Sequence, residues 1–403
     1  MARSSPPEPS GPGAVILGAG YAGVRLAHAV ARLGRGRLRV RLVDRHPLHV
    51  LRTELYEIGR LAGGPRAVER FTLPISRVLG GTDVGFVQGE VDSIDLGGHR
   101  VTISGTPLEY DFLAICLGSA PAYYGVPGAS EHTHSVYRLR SAQKLAQALR
   151  DLEAGSIDWP AGRRPEVVVV GGGSTGCEVA AEIATVRWGA IAGRGARRPH
   201  VRLITGSLPF LAGFSPSLIR HARDLLGSAG VEMIEGVNAA RVSPGSLELE
   251  RGSSPLSFDL CVWAAGVQAP DVVRKLPVPH GHSGRIVVDP TLEVPGHAGV
   301  FAVGDTVDLV DPVTRVVVPA TAQAALSEAS VAGANLVARW RGTPLREFHY
   351  REKGAIVSVG QFAASGRTRH LTLWGAPAKL LKRAVEREYA IAAERSQFPL
   401  TSR

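Results

Sequence analysis

Short apolar, β-branched runs alternate with alanine-rich stretches along most of this chain. Strand-like runs at 14–18 and 38–43 flank an alanine-rich helical segment at about 21–33, which predicts a βαβ unit. A second unit begins at Val167 and returns at 201–205, delayed by a basic, Gly-rich insert at 193–199. A helix near 216–229 and strands around 231–234 and 246–250 complete it. Between the units, 84–115 reads as short β segments punctuated by polar turns such as Gly97-Gly98, and Leu139 to Leu152 carries apolar residues near helical spacing. A connection at 154–165 marks a boundary. Further on, 284–289 and 299–309 predict a β pair, and 321–340 a helix without internal proline. The tail has strand-like IVSVGQF and LTLWG, then a basic helical stretch from about 376 to 394.

Each βαβ unit opens on a glycine fingerprint. Gly18, Gly20 and Gly23 in AVILGAGYAGVRLAHAV stand in GxGxxG spacing, as do Gly171, Gly173 and Gly176 in EVVVVGGGSTGCEVAAEIA. Such glycines serve a tight turn, close backbone approach to a pyrophosphate, and close helix–strand packing. The pyrophosphate then rests on N–H groups at a helix N-terminus. One such motif is weak in a chain with 48 glycines, but two in strand–turn–helix context are strong. Two dinucleotides in one chain suggest a flavin exchanging electrons with a nicotinamide. Asp44 ends the first returning strand some 25 residues after Gly18, where a carboxylate meets ribose hydroxyls; the bland alternative is a strand-end turn aspartate. Each fingerprint is also followed by an Asp–apolar strand–Gly element, YDFLAICLGSAP and FDLCVWAAGVQAP, as expected of two related halves.

Length and composition fit this picture. A chain of 403 residues holds two or three domains, and 44% hydrophobic with 20% charged residues is ordinary for a globular protein. No apolar run is long enough to span a bilayer, and the first thirteen residues, which read as a disordered lead-in, lack a signal peptide's apolar core. Cys116, Cys177 and Cys261 stand singly in apolar stretches, the pattern of buried thiols in the cytosol. No CxxC or CxxxxC lies near either fingerprint, against a disulfide reductase, and no FxGxxxHxxxW-like segment suggests a flavin monooxygenase. The net charge of +10 comes without nucleic-acid motifs, so nucleic acid is not expected as a partner. No metal site is expected.

Together these residues resemble the pyridine nucleotide–disulfide oxidoreductase superfamily, and within it the type II NADH dehydrogenases, from about residue 14 to 375. In DRHPLHVLRTELYEIG, His49, Leu55 and Tyr56 match the family, while Leu51 replaces an aromatic and Thr53 a proline. GVFAVGDTVD is similar to the closing FAD motif, whose Asp (here Asp305) binds the ribityl chain, and VPATAQAA to the element beside the isoalloxazine where quinone approaches. The resemblance implies an α/β fold of two Rossmann-like dinucleotide-binding domains, the second inserted in the first, plus a small C-terminal α+β region. The FAD domain would take 14–135 and 284–340, the NAD(P)H domain 150–275, and the C-terminal region 341–403. Cofactor-binding candidates are Gly18, Gly20, Gly23, Asp44, Val91, Gly118, Gly304, Asp305 and Ala322, with Gly171, Gly173, Gly176, Thr205 and Gly266.

The implied activity is hydride transfer from NADH or NADPH to FAD, then electron transfer to a quinone or quinone-like acceptor. Glu178 and Gln323 are the catalytic candidates: Glu178 beside the nicotinamide–flavin stack, Gln323 at a helix start by the flavin. Their bland alternatives are an exposed first-turn Glu complementing the helix dipole and a residue capping its own helix. Thr205 stands where NADH users carry an acid, so NADH and NADPH stay unseparated; Ser327 stands where the family commonly has a second Gln. That substitution, the short tail and the basic charge keep open a reductase for a ferredoxin-like redox protein or a specialised substrate; a non-catalytic redox sensor ranks lower. The tail helix, with Leu380, Leu381, Ala384, Val385 and Tyr389 on one side, either packs on its own protein or touches the inner face of the cell membrane. A homodimer is allowed.

Overall fold

The computed structural model describes residues 11–58, 65–156, 159–160, 162–186, 197–250, 252, 254–360, 363–368, 372–395 and 398. Most of the lead-in and residues 193–196 of the basic insert lie outside them.

Strands β1 (Gly13–Leu17), β2 (Arg39–Asp44), β3 (Gly85–Gln88) and β4 (Phe112–Ile115) come first, with helix α1 (Tyr21–Gly34) after β1. Strands β5 (Glu166–Val170), β6 (His200–Ile204), β7 (Val231–Ile234) and β8 (Leu260–Trp263) follow, with α2 (Ser174–Thr185) after β5. Then come β9 (Val300–Ala302), α3 (Ala322–Arg341), an antiparallel sheet of β10 (Gly354–Val359), β11 (Ala363–Thr368) and β12 (Thr372–Gly375), and finally α4 (Ala376–Glu394).

Two parallel sheets carry the molecule. The first has the order β9-β4-β1-β2-β3 and the second β7-β6-β5-β8. Their central strands are buried along their length because helices or sheets cover both faces, which is why GAVIL and VVVV read as continuous apolar runs. The pair predicted between 284–289 and 299–309 forms only in part. Ile286–Val287 pairs with Val307–Asp308, whereas Val300–Ala302 crosses to the edge of the first sheet beside β4. Local pattern could not reveal that choice, because the partner lies almost 190 residues upstream.

The halves repeat each other down to single hydrogen bonds. After β3 an antiparallel three-stranded sheet spans 91–109, and after β7 another spans 239–257, each with a register shift near its start. The Asp preceding the next parallel strand then accepts the first N–H of the central strand: Gly13 donates to Asp111 at 2.6 Å and Glu166 to Asp259 at 2.8 Å. The repeated Asp–apolar–Gly plan therefore has a mechanical basis, the capping of the first donor of an interior strand. Ala120–Pro121 pairs with Val267–Gln268, and the Trp263 indole donates to Ala122 O at 2.8 Å, joining the halves.

Helix α3 begins at the Thr321 cap, whose hydroxyl accepts from Ala324 N at 3.2 Å, and ends at Gly342 in the left-handed region. It lies on α1 with small residues at the crossing: a Cβ on Gly333 would meet that of Ala29 at 2.8 Å.

In α1, a Cβ added to Gly23 would sit 1.8 Å from Gly18 O. Gly23→Ala is therefore expected to destabilise the protein by at least the 1–3 kcal/mol typical of core overpacking, read as a lowered midpoint in urea unfolding. An unchanged midpoint would show that the helix can back away from the strand at little cost.

Candidate functional site

The two fingerprint loops are near-copies. Gly18 has φ +98° and Gly171 φ +128°, and a Cβ on either would lie 2.4 or 2.3 Å from a carbonyl of the neighbouring strand's end, Cys116 O and Ala264 O respectively. Only glycine fits both the backbone angle and the space. Gly23 and Gly176 each press to within 1.8 Å of the first glycine's carbonyl, counted from a virtual Cβ. Gly20 and Gly173, by contrast, face open space and begin α1 and α2 with no side-chain cap. The uncapped N-termini leave backbone donors aimed into those openings, so each loop fits a dinucleotide pyrophosphate.

Around the first loop, the structure brings together residues from distant parts of the chain. The Asp44 carboxylate accepts from Ala19 N at 2.8 Å and His46 N at 2.9 Å, which holds it against the loop. Gly118 N donates to Thr306 Oγ1 at 3.0 Å, and Ser119 Oγ donates to Asp305 Oδ2 at 2.8 Å. These bonds tie the turn after β4 to the Gly304–Thr306 turn, so Asp305 is presented by two segments at once. Arg52 hangs over Gly118, its guanidinium held by Tyr137 O at 3.0 Å. Beneath the turn, Gly304 N donates to the buried Glu328 at 2.6 Å. Burial pushes the Glu328 carboxyl up to about 8 against that bond. Ala322 opens α3 beside this turn, while Val91 is half-buried opposite Ile103 in the flanking sheet.

At the second loop, Thr205 is buried beneath Gly172. The turn beyond it is closed by Asn238, which accepts from Ser207 N at 3.0 Å and donates to Glu250 at 2.9 Å. The position just after β6 thus carries a buried hydroxyl and no carboxylate. Gly266 lies under the Tyr124 phenol, 2.2 Å from where a Cβ would stand. All three cysteines are buried and free, and burial raises each thiol, Cys261 to about 12.

The two catalytic candidates are both held by the C-terminal region. Glu178 is buried, not exposed: its Oε1 accepts from Ser358 N at 3.1 Å and from the Lys382 ammonium. Gln323 does not cap its own helix, since Thr321 does; its amide donates to Arg351 O at 3.2 Å.

Helix α4 packs on the molecule, one of the two alternatives open for it, but through a polar stripe. Lys379, Lys382 and Glu386 turn inward and several apolar residues outward, with Leu380 at 64%, Val385 at 54% and Ile391 at 40% exposure. Tyr389, expected alongside Leu380, instead points into the molecule. Buried Lys379 donates to Ser358 Oγ at 3.0 Å and Tyr56 Oη at 3.3 Å and pairs with Glu57 at 3.4 Å. Lys382 lies over the Tyr56 ring and 3.9 Å from Glu386. Tyr389 Oη meets His49 Nε2 at 3.0 Å, and His49 Nδ1 meets Ala19 O of the first loop at 2.8 Å. One helix thus reaches the first loop through His49 and α2 through Glu178. Sequence reasoning missed this set, although Lys379, Lys382, Glu386 and Tyr389 recur at helical three- and four-residue intervals. Burial, with Lys382 opposing it and Glu54, Glu57 and Glu178 adding to it, pushes the Glu386 carboxyl up to about 8.

The family model described as pyridine nucleotide-disulphide oxidoreductase matches residues 13–329. An NADH dehydrogenase-like protein of Mycobacterium tuberculosis is 32% identical over 388 residues, covering 92% of each chain. A type II NADH:quinone oxidoreductase of Staphylococcus saprophyticus is 25% identical, over 92% of this chain and 93% of its own. Among solved structures, the sulfide:quinone oxidoreductase of Aquifex aeolicus superposes with a TM-score of 0.79 at 21% identity, over 96% of this chain and 92% of that one, a likeness of fold.

Two measurements test the site. Gly20→Ala meets no clash, so folding should change by less than about 1 kcal/mol while bound flavin per chain falls severalfold; retained flavin would remove Gly20 from the cradle. An acid whose pKa is raised by folding destabilises the protein as pH climbs from its unfolded value, about 4.3, through about 8. Glu386→Gln should therefore raise the melting temperature by a few degrees at pH 8, with the gain shrinking toward pH 4.5. A gain independent of pH would refute the raised pKa.

Proposed function

The chain belongs to the pyridine nucleotide-disulphide oxidoreductase family, and from that premise we propose that it passes electrons from NADH or NADPH, through FAD, to a quinone or quinone-like acceptor. Membership makes it an NAD(P)H- and FAD-dependent oxidoreductase; the acceptor and the residue roles are our reading. The observation that carries the reading is the pair of glycine cradles, duplicated in detail but differently furnished. We assign the first cradle to FAD, with the 300–302 strand returning beside it so that Asp305 and Ser119 lie near the ribityl chain. The second is assigned to the nicotinamide cofactor.

FAD, when bound, supplies two-electron chemistry; the chain's residues bind, orient and manage protons. The bonds from Ser358 N–H and Lys382 that fix the Glu178 carboxylate support a role for it in passing a proton near the nicotinamide. With FAD bound, Gln323 and the first N–H groups of α3 would be the donors to negative charge on the flavin ring. The buried, separate thiols support an acceptor other than a dithiol. The Staphylococcus relative is named for quinone, which favours that acceptor here.

A second reading, reduction of a ferredoxin-like protein, is favoured by Ser327 where a second Gln is common and by the net charge of +10. Among the described residues no helix is long and apolar enough to cross a membrane. The outward Leu380, Val385 and Ile391 of α4 support a peripheral contact.

The purified protein is expected to show a flavin spectrum that bleaches anaerobically with NADH or NADPH and recovers rapidly with menadione but not with ferredoxin. Absence of a flavin band would overturn the FAD assignment, and recovery with ferredoxin alone would favour the second reading. Thr205→Glu should lower the rate with NADPH at least tenfold relative to NADH by like-charge repulsion of the 2′-phosphate. An unchanged ratio would show that Thr205 does not face that group.

A further inference from the structure

Residues 310–317 form a hairpin with four exposed valines. Val310 and Val317 face each other as a β bridge, and Asp311 N donates to Val316 O at 3.0 Å. The turn is pinned from within. One Asp311 carboxylate oxygen accepts from Val313 N at 3.0 Å and Thr314 N at 2.7 Å, and the other from Tyr350 N at 2.7 Å. Asp311 itself is buried, so the only acid in the hairpin presents no charge to solvent.

The held-out surface is apolar. Val310 is 48% exposed, Val313 72%, Val316 63% and Val317 52%, and exposed Pro319 and Ala320 continue the strip to the start of α3. Single exposed valines are ordinary; four on one pinned hairpin are not. The rim is basic: Arg315 lies in the turn, and the segment bound through Tyr350 exposes Arg346, Arg351 and Lys353 against Glu347 and Glu352.

A protein partner would need far more surface than this tip supplies, since a stable interface covers roughly 800 Å² per side. A bilayer sets no such threshold, and its anionic headgroups complement a basic rim. We infer that the 310–317 hairpin is a lipid-seating element, its valines entering the acyl boundary of an anionic membrane and its arginines meeting the headgroups. This contact is separate from α4. It also deepens the quinone reading, on which this one consequence rests: the seated hairpin sets the 319–323 run, and Gln323 with it, at the membrane boundary where a lipid-dissolved acceptor arrives.

The test uses the full-length flavin-loaded protein and vesicles of phosphatidylglycerol with phosphatidylcholine. The wild type should co-sediment, and Val313→Asp combined with Val316→Asp should cut the bound fraction at least tenfold, with flavin content and menadione rate in solution unchanged. Leu380→Asp combined with Ile391→Asp, on α4, should leave the tip in contact. An environment-sensitive dye on Val313→Cys reports this directly, because the native thiols are buried; its emission should shift to the blue on adding vesicles, in the wild-type and α4-variant backgrounds alike. Absence of wild-type binding, full binding by the tip variant, an unshifted dye, or loss of self-association in the tip variant would each overturn the inference. Vesicle binding with no reduction of any quinone would instead sink the acceptor reading and leave the lipid contact standing.

Discussion

At two places a helix is drawn so close to the turn before it that no side chain fits between them. The third glycine of each fingerprint touches the carbonyl of the first, and the first touches the carbonyl at the end of the adjacent strand. These contacts place the N-termini of α1 and α2 over the ends of β1 and β5, directing their backbone donors to one side of each sheet. The rest of the arrangement depends on that placement. Helix α3 can lie against α1 only because α1 is seated flat, with Ala29 opposite Gly333. The Gly304–Thr306 turn reaches Gly118 and Ser119 only because β9 has joined the sheet beside β4.

Helix α4 obeys a different constraint. A surface helix ordinarily buries its apolar stripe and leaves its charges in water. Here the buried stripe carries Lys379, Lys382, Glu386 and Tyr389; Lys379 is matched by Glu57, Tyr56 and Ser358 and Lys382 by Glu178, all from other elements, and Lys382 also by Glu386 one turn further along α4. Buried ion pairs add little net stability, since desolvation offsets their attraction, but a misplaced one is severely penalised. The helix is therefore located by charge complementarity. It is held in one position relative to both cradles, with Tyr389 answering to the first and Lys382 to the second.

Much of the framework was legible in the sequence because it rests on local rules. Apolar β-branched runs, alanine-rich helices and glycine spacing placed the strands of both βαβ units and the helices at 322–341 and 376–394 to within a residue or two, but not the strand Ala239–Ser243 or the short extent of Val300–Ala302. The repeated Asp–apolar–Gly elements pointed to related halves before their hydrogen bonds were seen. What could not be read depends on residues distant in the chain. The destination of Val300–Ala302 is set by a sheet edge far upstream, and the bond from Ser119 to Asp305 joins residues 186 positions apart. Glu178 looked like a first-turn acid because its two partners lie 180 and 204 residues away. The inward face of α4 was missed because apolar spacing drew attention to its other side, although the polar residues were equally periodic.

The interleaving of the two sheets carries a consequence for how the chain is made. All four strands of the second sheet lie between residues 166 and 263, so that sheet is complete while the ribosome is still synthesising the rest. The first sheet begins earlier yet lacks its edge strand until residue 302 has emerged. For the whole time that the second half is being made, β4 is a bare parallel edge, apolar on both faces and open to pairing with a wrong strand. The first sheet is therefore the later of the two to be completed, with the strand that closes β4 delivered by the segment leaving the second half.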